Sequence, residues 1–499
     1  MTSPPAPSPL PRPGGSLTTA KIVFLVVAAV APMAAVVGTL PLAFVLGTGP
    51  GTPAAFVMAG VVLLLFGVGY AEMSRHVVST GAFYTYIRHG LGRVPAVAGA
   101  YVAVLAYNVF AVGLTGAFAY FTRLALIDLA HVTIPWPWLA AAALAIVALL
   151  GRRQIDLSAR TLALLLTAEV VILLVLDAAI TLSKGASAFP ATSFAPHTAT
   201  HGALGVTVMF AFISFLGFES AALYGEEARD PRRSVPRAIY ASVGLISVFY
   251  AVTSWIAVGG IGAGHVQERS GSELGNLFIS LTVQYVDSPM SKAMEVVLCT
   301  SLLASLLSMH NACSRYMYAL GRDRLLPTPL GTSHRSGAPA VASGVQIVIA
   351  AVVAGAFALA GLDPYLDMAT SMLGLGTVGI IALQAAAAVA IIAYFRRRPA
   401  AAATAGWWRV LAAPGLGAIG LLAALVLVLR NFDALTGTTS SLVHALPWLV
   451  LVAAAAGAGW ACWLRAARPA TYQRLAEDDG GEPAPAAGPV PDGVDHART

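Results

Sequence analysis

The chain has 499 residues, 58% apolar and 10% charged, with a mean hydropathy of +0.78; a water-soluble fold, with about a quarter of its residues charged, could not cover its surface with so few. The solvent is therefore lipid. The net charge of +6 is spread along the chain rather than gathered as a nucleic-acid footprint. The three cysteines, Cys299, Cys313 and Cys462, all lie in apolar runs, which excludes a disulfide framework and a CxxC metal site.

In chain order, residues 1–20 begin with a Pro- and Gly-rich stretch and are expected to form a disordered cytoplasmic tail. Apolar windows near the ~20 residues that a bilayer core demands follow at 22–47, 53–73, 94–121, 134–151 and 161–183. Five more lie at 203–225, 238–262, 290–320, 338–361 and 366–395, and two at 408–429 and 443–464. The expected protein is an all-α integral membrane protein of about twelve transmembrane helices. Residues 21–395 would form a ten-helix core of two inverted repeats, about 21–183 and 203–395. Residues 396–465 would hold helices 11 and 12, and residues 466–499 a second disordered cytoplasmic tail.

Charge orients this array. With a cytoplasmic N-terminus, every Lys and Arg except Arg123, Lys184, Arg269, Lys292 and Arg430 falls on the inside. That is the bias expected of a multi-pass protein of the cytoplasmic membrane with both termini inside.

Two windows are not plain apolar helices. The first carries Pro32, Gly38, Pro41 and Gly47, and a proline cannot donate its backbone hydrogen bond within a helix, so a break is expected near Gly38 to Leu40. In the sixth, Ser214, Gly217 and Glu219 interrupt an aromatic run, and a second break is expected there. Broken backbone survives in lipid only where it lines a cavity, and interruptions at corresponding places in two halves point to a solute site between them.

Three sequence blocks carry a family likeness: GFESAALYGEEARDPRRSVPRAI from Gly217 to Ile239, STGAFYTYIRHGLGR from Ser79 to Arg93, and SMHNACSRYMYALGRDRLLP from Ser308 to Pro327. Together they resemble the amino acid-polyamine-organocation superfamily of permeases over roughly residues 20–465. The resemblance implies a 5+5 transporter core with helices 1 and 6 broken, and amino acid transport. One departure stands out: relatives often carry Gly-Ser-Gly or Gly-Thr-Gly in the first break, where this chain has Gly38-Thr39-Leu40-Pro41.

A zwitterionic amino acid needs donors for its carboxylate and acceptors for its ammonium. Free N–H groups near Val37, Gly38, Thr39 and Leu40 would supply the first, aided by the helix dipole, and carbonyls of Ile213, Ser214 and Leu216 the second. Gly38 and Gly217 could instead simply allow close helix packing. Phe210, Phe212 and Phe215 are candidates to close over the solute or to pack, and Asn108 lines the pocket or bonds another helix.

Coupling requires an ion rather than a cofactor. Glu169 lies about 18 Å into the fifth span, where charge is expensive and usually functional; it is a proton-carrier candidate or a protonated link to a neighbouring helix. Some members of the resembled superfamily place a lysine near that position, facing the first-helix break. Asp177 is assigned to the interface, and His310 is a second titrating candidate or, with Asn311, a helix contact. Sodium coupling would draw on Thr300, Ser301 and Ser305 with helix-1 carbonyls. Glu219, Glu226, Glu227 and Arg232, with Arg229, Asp230 and Arg233, form an expected inner gate or ion network, or a solvated loop, and Glu72 is expected to pair with Arg75.

No GxSxG, HExxH or P-loop pattern suggests an enzyme, and no filter or charge ring suggests a channel. The expected partners are a small solute and the bilayer. A solute sensor remains the alternative.

Overall fold

The computed structural model describes residues 17–77, 82–152, 159–225, 227–332, 339–435 and 445–475. The first span is two pieces, α1 (Thr19–Val30) and α2 (Pro32–Leu46); α3 (Thr52–His76) is the second. A short α4 (Ala82–Leu91) leads into α5 (Arg93–Ala130), followed by α6 (Trp136–Arg152) and α7 (Ala159–Lys184). After the small α8 (Pro196–Thr200), the sixth span pairs α9 (Leu204–Ser214) with a 3-10 helix, Phe218–Gly225. Next come α10 (Pro231–Ile261), the connecting α11 (Val266–Glu273) and α12 (Leu277–Tyr285), then α13 (Ser288–Arg322) and α14 (Ala340–Leu359). A π-turn, Pro364–Ala369, opens α15 (Thr370–Arg396). The chain continues through α16 (Pro399–Ala405), α17 (Ala413–Arg430), α18 (Trp448–Ala467) and α19 (Pro469–Arg474).

Among the described residues, eleven helices are long and apolar enough to cross a membrane. They coincide with eleven of the twelve expected windows. The window 134–151 coincides with α6, which at 17 residues is shorter than the others. Apolar residues such as Leu149, Leu164, Leu182, Val248 and Ile419 face outward. In water that surface would drive association; in hydrocarbon it is at rest.

Burial separates centre from rim. The most apolar window is 72% buried in the sixth and tenth spans but only 22% in α18. The sixth span is therefore central: α9 lies against α2, α3, α15 and α17, while α1 packs against α10 and the 3-10 piece. One backbone clasp ties the chain before α1 to the chain after the 3-10 piece. Leu17 donates its N–H to the Glu227 carbonyl at 3.0 Å, and Arg229 donates to the Leu17 carbonyl at 2.9 Å.

Candidate functional site

The break in the first span falls at Ala31, not at Gly38 to Leu40. Ala31 has φ 51° and ψ 75°, a left-handed backbone, and Pro32 follows it. The proline ring disfavours the α conformation in the residue before it, and at the first helical position its missing N–H is no loss. From Pro32, α2 runs unbroken through Pro41. The N–H groups of Val37, Gly38, Thr39 and Leu40 are therefore spent inside the helix and cannot serve a solute. Helix continuity through Pro41 is supported from outside, since Tyr365 donates its hydroxyl to the Gly38 carbonyl at 3.0 Å while stacking on Tyr120.

The open donors sit one and a half turns earlier. Met33 gives its N–H to Glu169 Oε2 at 3.1 Å, and both residues are buried. Ala34 keeps partial exposure, and its N–H has no partner among the described residues. Ser301 of α13 lies against the same carboxyl, and Tyr250 of α10 is in its neighbourhood; neither hydroxyl makes a hydrogen bond of good geometry among the described residues. Unsatisfied buried hydroxyls beside a helix N-terminus mark a place prepared for a further polar group.

In the sixth span α9 ends at Ser214, and the chain turns through Phe215 and Leu216 to Gly217, whose φ of 110° a residue with a side chain adopts only under strain. A Cβ on Gly217 would lie 3.4 Å from the Ala29 carbonyl carbon, so the two interruptions abut. Ile213 accepts the Leu216 N–H at 3.1 Å, whereas the Ser214 and Leu216 carbonyls accept no backbone hydrogen bond among the described residues. The hydroxyls of Ser214 and Thr39 meet at 3.1 Å, linking α9 to α2. Phe210 and Phe215 are fully packed, and Phe212 keeps 6% exposure.

Glu219 behaves differently from the loop residues grouped with it. Its Oε2 accepts the Gly217 N–H at 3.0 Å, and its carbonyl accepts the Tyr70 hydroxyl at 3.3 Å. It braces the break, while Glu227 and Arg232 are exposed and Arg233 pairs with Asp230 at 3.8 Å on the surface. Among the described residues no ion network joins them. Glu226 lies outside the described residues.

His310 is buried between α13 and α14. Nδ1 faces Gln346 Oε1 and Nε2 faces the Ser343 hydroxyl at 2.9 Å, so both ring nitrogens are committed to a helix contact. Asn108 donates to the Val104 carbonyl at 2.8 Å and to Met317 Sδ at 3.6 Å, leaving its buried Oδ1 open. Thr300 is exposed and bonds its own helix, as does Ser305. Asp177, expected at the interface, is instead buried and accepts the Thr253 hydroxyl at 2.7 Å. Glu72 lies 3.6 Å from Arg75, as expected, and also reaches His76 and Arg409.

Sequence reasoning missed a threonine clamp. Thr48 donates its N–H to Thr207 Oγ1 at 2.8 Å, and Thr207 donates to the Thr48 hydroxyl at 3.1 Å, joining the end of the first span to the start of the sixth. Gly47 permits this approach, because a Cβ there would collide with Thr207 Oγ1. A lone threonine in an apolar run gives no hint of so distant a partner. The Ala31-Pro32 step was legible as a helix start but was outweighed by the glycines after it.

Two interrupted helices that meet at their breaks, in a bundle of membrane-length helices, define a polytopic membrane protein of the broken-helix type. The sequence profile of the amino acid permease family matches residues 17–455, and the chain belongs to that family. It is similar to a branched-chain amino acid permease of Lactococcus lactis, 31% identical over 153 residues, covering 30% of this chain and 31% of the relative. An uncharacterized transporter of Mycobacterium tuberculosis is 28% identical over 177 residues, 35% of this chain and 37% of the relative. A vacuolar cationic amino acid transporter of Arabidopsis thaliana is 25% identical over 348 residues, 66% of this chain and 56% of the relative. The chain thus spans about a third to a half of the length of these relatives.

Proposed function

We propose that the protein is a secondary transporter that moves an amino acid across the cytoplasmic membrane, both termini inside, by proton symport and alternating access. The observation that carries this is the Glu169 carboxylate on the Met33 N–H, at the first-span break and beside the second. A helix N-terminus with free N–H groups is a site for an anion, and here the protein's own carboxylate fills part of it.

A solute carboxylate arriving at Ala34 and Met33 must share that terminus with Glu169. Two carboxylates at one small site repel unless one takes a proton. Solute binding therefore favours protonated Glu169, and a protonated Glu169 frees the Met33 donor for the solute. The two ligands enter together, which is symport. The unbonded carbonyls of Ser214 and Leu216 supply acceptors for the ammonium.

Glu169 and Glu219 both already serve backbone N–H groups, so neither is an open counter-charge for a cationic side chain. With Phe212 and Ile213 alongside, the site favours an amino acid with an apolar side chain. The two five-helix halves would rock about this site.

The test is uptake of labelled amino acids into proteoliposomes. Wild type should concentrate solute when the outside is acidic, and Glu169→Gln should bind and exchange solute yet lose accumulation. Continued accumulation by the variant would remove the coupling assignment; binding without flux in wild type would favour a sensor. Sodium coupling is the second reading, favoured by the unpartnered Ser301 hydroxyl beside Glu169. Exchange of Na⁺ for K⁺ at fixed pH separates the two.

A further inference from the structure

A half-open cavity of about 470 Å³, walled mainly by apolar and aromatic side chains with two arginines, lies far along the chain from the helix breaks, where the end of α18 meets α5 and the turn after α13. Its walls include Tyr101, Arg324, Trp460, Trp463, Arg468 and Thr471, and among the described residues no acidic side chain lines it. Trp460 and Trp463 stack with ring centroids 4.8 Å apart, and the Arg468 guanidinium lies 5.7 Å from the Trp463 ring centroid. Both tryptophans are partly exposed, at 38% and 44%.

The cavity is held open by backbone contacts. Tyr101 donates its hydroxyl to the Leu325 carbonyl at 2.5 Å, and the Trp460 indole N–H reaches the Arg324 carbonyl at 3.3 Å. Arg324 has a φ of 59°, a left-handed conformation that a non-glycine residue adopts at an energetic cost. Neither Arg324 nor Arg468 has a carboxylate partner among the described residues. Asp323, next in the chain, turns to Arg322 instead.

Depth identifies the occupant. Trp463 is four residues from the end of α18, about 6 Å from its terminus, and Arg468 lies just beyond that terminus. Outward-facing Leu449, Leu451 and Val452 on the same helix are apolar. Stacked tryptophans followed by arginine at the end of a lipid-exposed helix belong at headgroup level.

We infer that this cavity binds the phosphodiester headgroup of an anionic phospholipid, with Arg324 and Arg468 on the phosphate oxygens and the acyl chains along the exposed face of α18. Guanidinium forks suit phosphate oxygens, and two exposed arginines at one cavity with no carboxylate partner among the described residues favour a ligand of net negative charge, which a zwitterionic headgroup lacks. The occupied site pins the peripheral α18 to α5 and α13. The inference stands apart from the transport reading, because it uses none of the same residues.

The full-length chain in neutral detergent is titrated with short-chain phosphatidylglycerol, short-chain phosphatidylcholine and inorganic phosphate, with tryptophan fluorescence and melting temperature as readouts. Phosphatidylglycerol should give a saturable shift and raise the melting temperature, with the other two at least tenfold weaker. Arg324→Gln with Arg468→Gln should weaken phosphatidylglycerol at least tenfold, while Arg465→Gln, on the same helix end but outside the cavity, changes nothing. Arg468→Gln alone, at an exposed position, should weaken it at least threefold should the double variant not fold. Equal response to phosphatidylcholine, equal affinity for free phosphate, or unaltered affinity in the arginine variants each overturns the assignment.

Discussion

At Gly217 a single residue carries both the turn of the sixth span and its contact with the first. Gly217→Ala meets a positive φ, although its Cβ would rest in ordinary contact with the Ala29 backbone, and a loss of about 1–3 kcal/mol is expected. A fall in the melting temperature of the purified variant checks this; an unchanged value would mean the turn relaxes freely. Glu219 gives a sharper contrast, because its role here is to accept the Gly217 N–H. Glu219→Gln keeps a carbonyl oxygen in place and should melt close to wild type, whereas Glu219→Ala strands a buried donor and should lose about 1–3 kcal/mol. If both variants melt alike, the bracing role is wrong. Glu169 was legible in the sequence because it is a carboxylate deep within a long apolar run. Its bond to Met33 was not, since 136 residues separate the two.

At the scale of elements, the spans were readable because each apolar run had to be long enough for hydrocarbon, and length survives errors of a few residues. The first-span interruption was misplaced because glycine and proline are ambiguous in membrane helices. Pro41 is tolerated inside α2, where surrounding groups such as Tyr365 support the helix, while Pro32 starts it. The deciding feature was the residue before each proline. Ala31 gave way to a left-handed backbone; Leu40 did not. The same reasoning predicts that Pro32→Ala permits α1 and α2 to merge, withdrawing the Met33 and Ala34 donors, and that solute affinity falls at least tenfold in equilibrium binding. Retained affinity would show that the donors lie elsewhere.

Across the whole molecule, the C-terminal end of α2 is latched to the N-terminal part of α9 by Thr48 and Thr207, and Phe210 and Phe215 are buried near the breaks. Thr207→Val keeps the shape and removes the latch. It should raise the rate of labelling at a cysteine placed beside Thr48, in a background lacking Cys299, Cys313 and Cys462, and unchanged labelling would mean the latch does not limit opening. None of this global coupling could be read locally, because each bond joins residues far apart in the chain and depends on how the helices assemble.

The clasp between Leu17 and the Glu227–Arg229 segment is made of peptide groups, so it is indifferent to which side chains decorate it. Ordinary substitutions at those positions would leave it tied, and only the loss of both amide protons, as in Leu17→Pro with Arg229→Pro, unties it. On the proposed transport cycle, two segments so yoked swing as one oar; cut loose, one could open without the other, and the vessel would be expected to leak solute down its gradient with no ion in step.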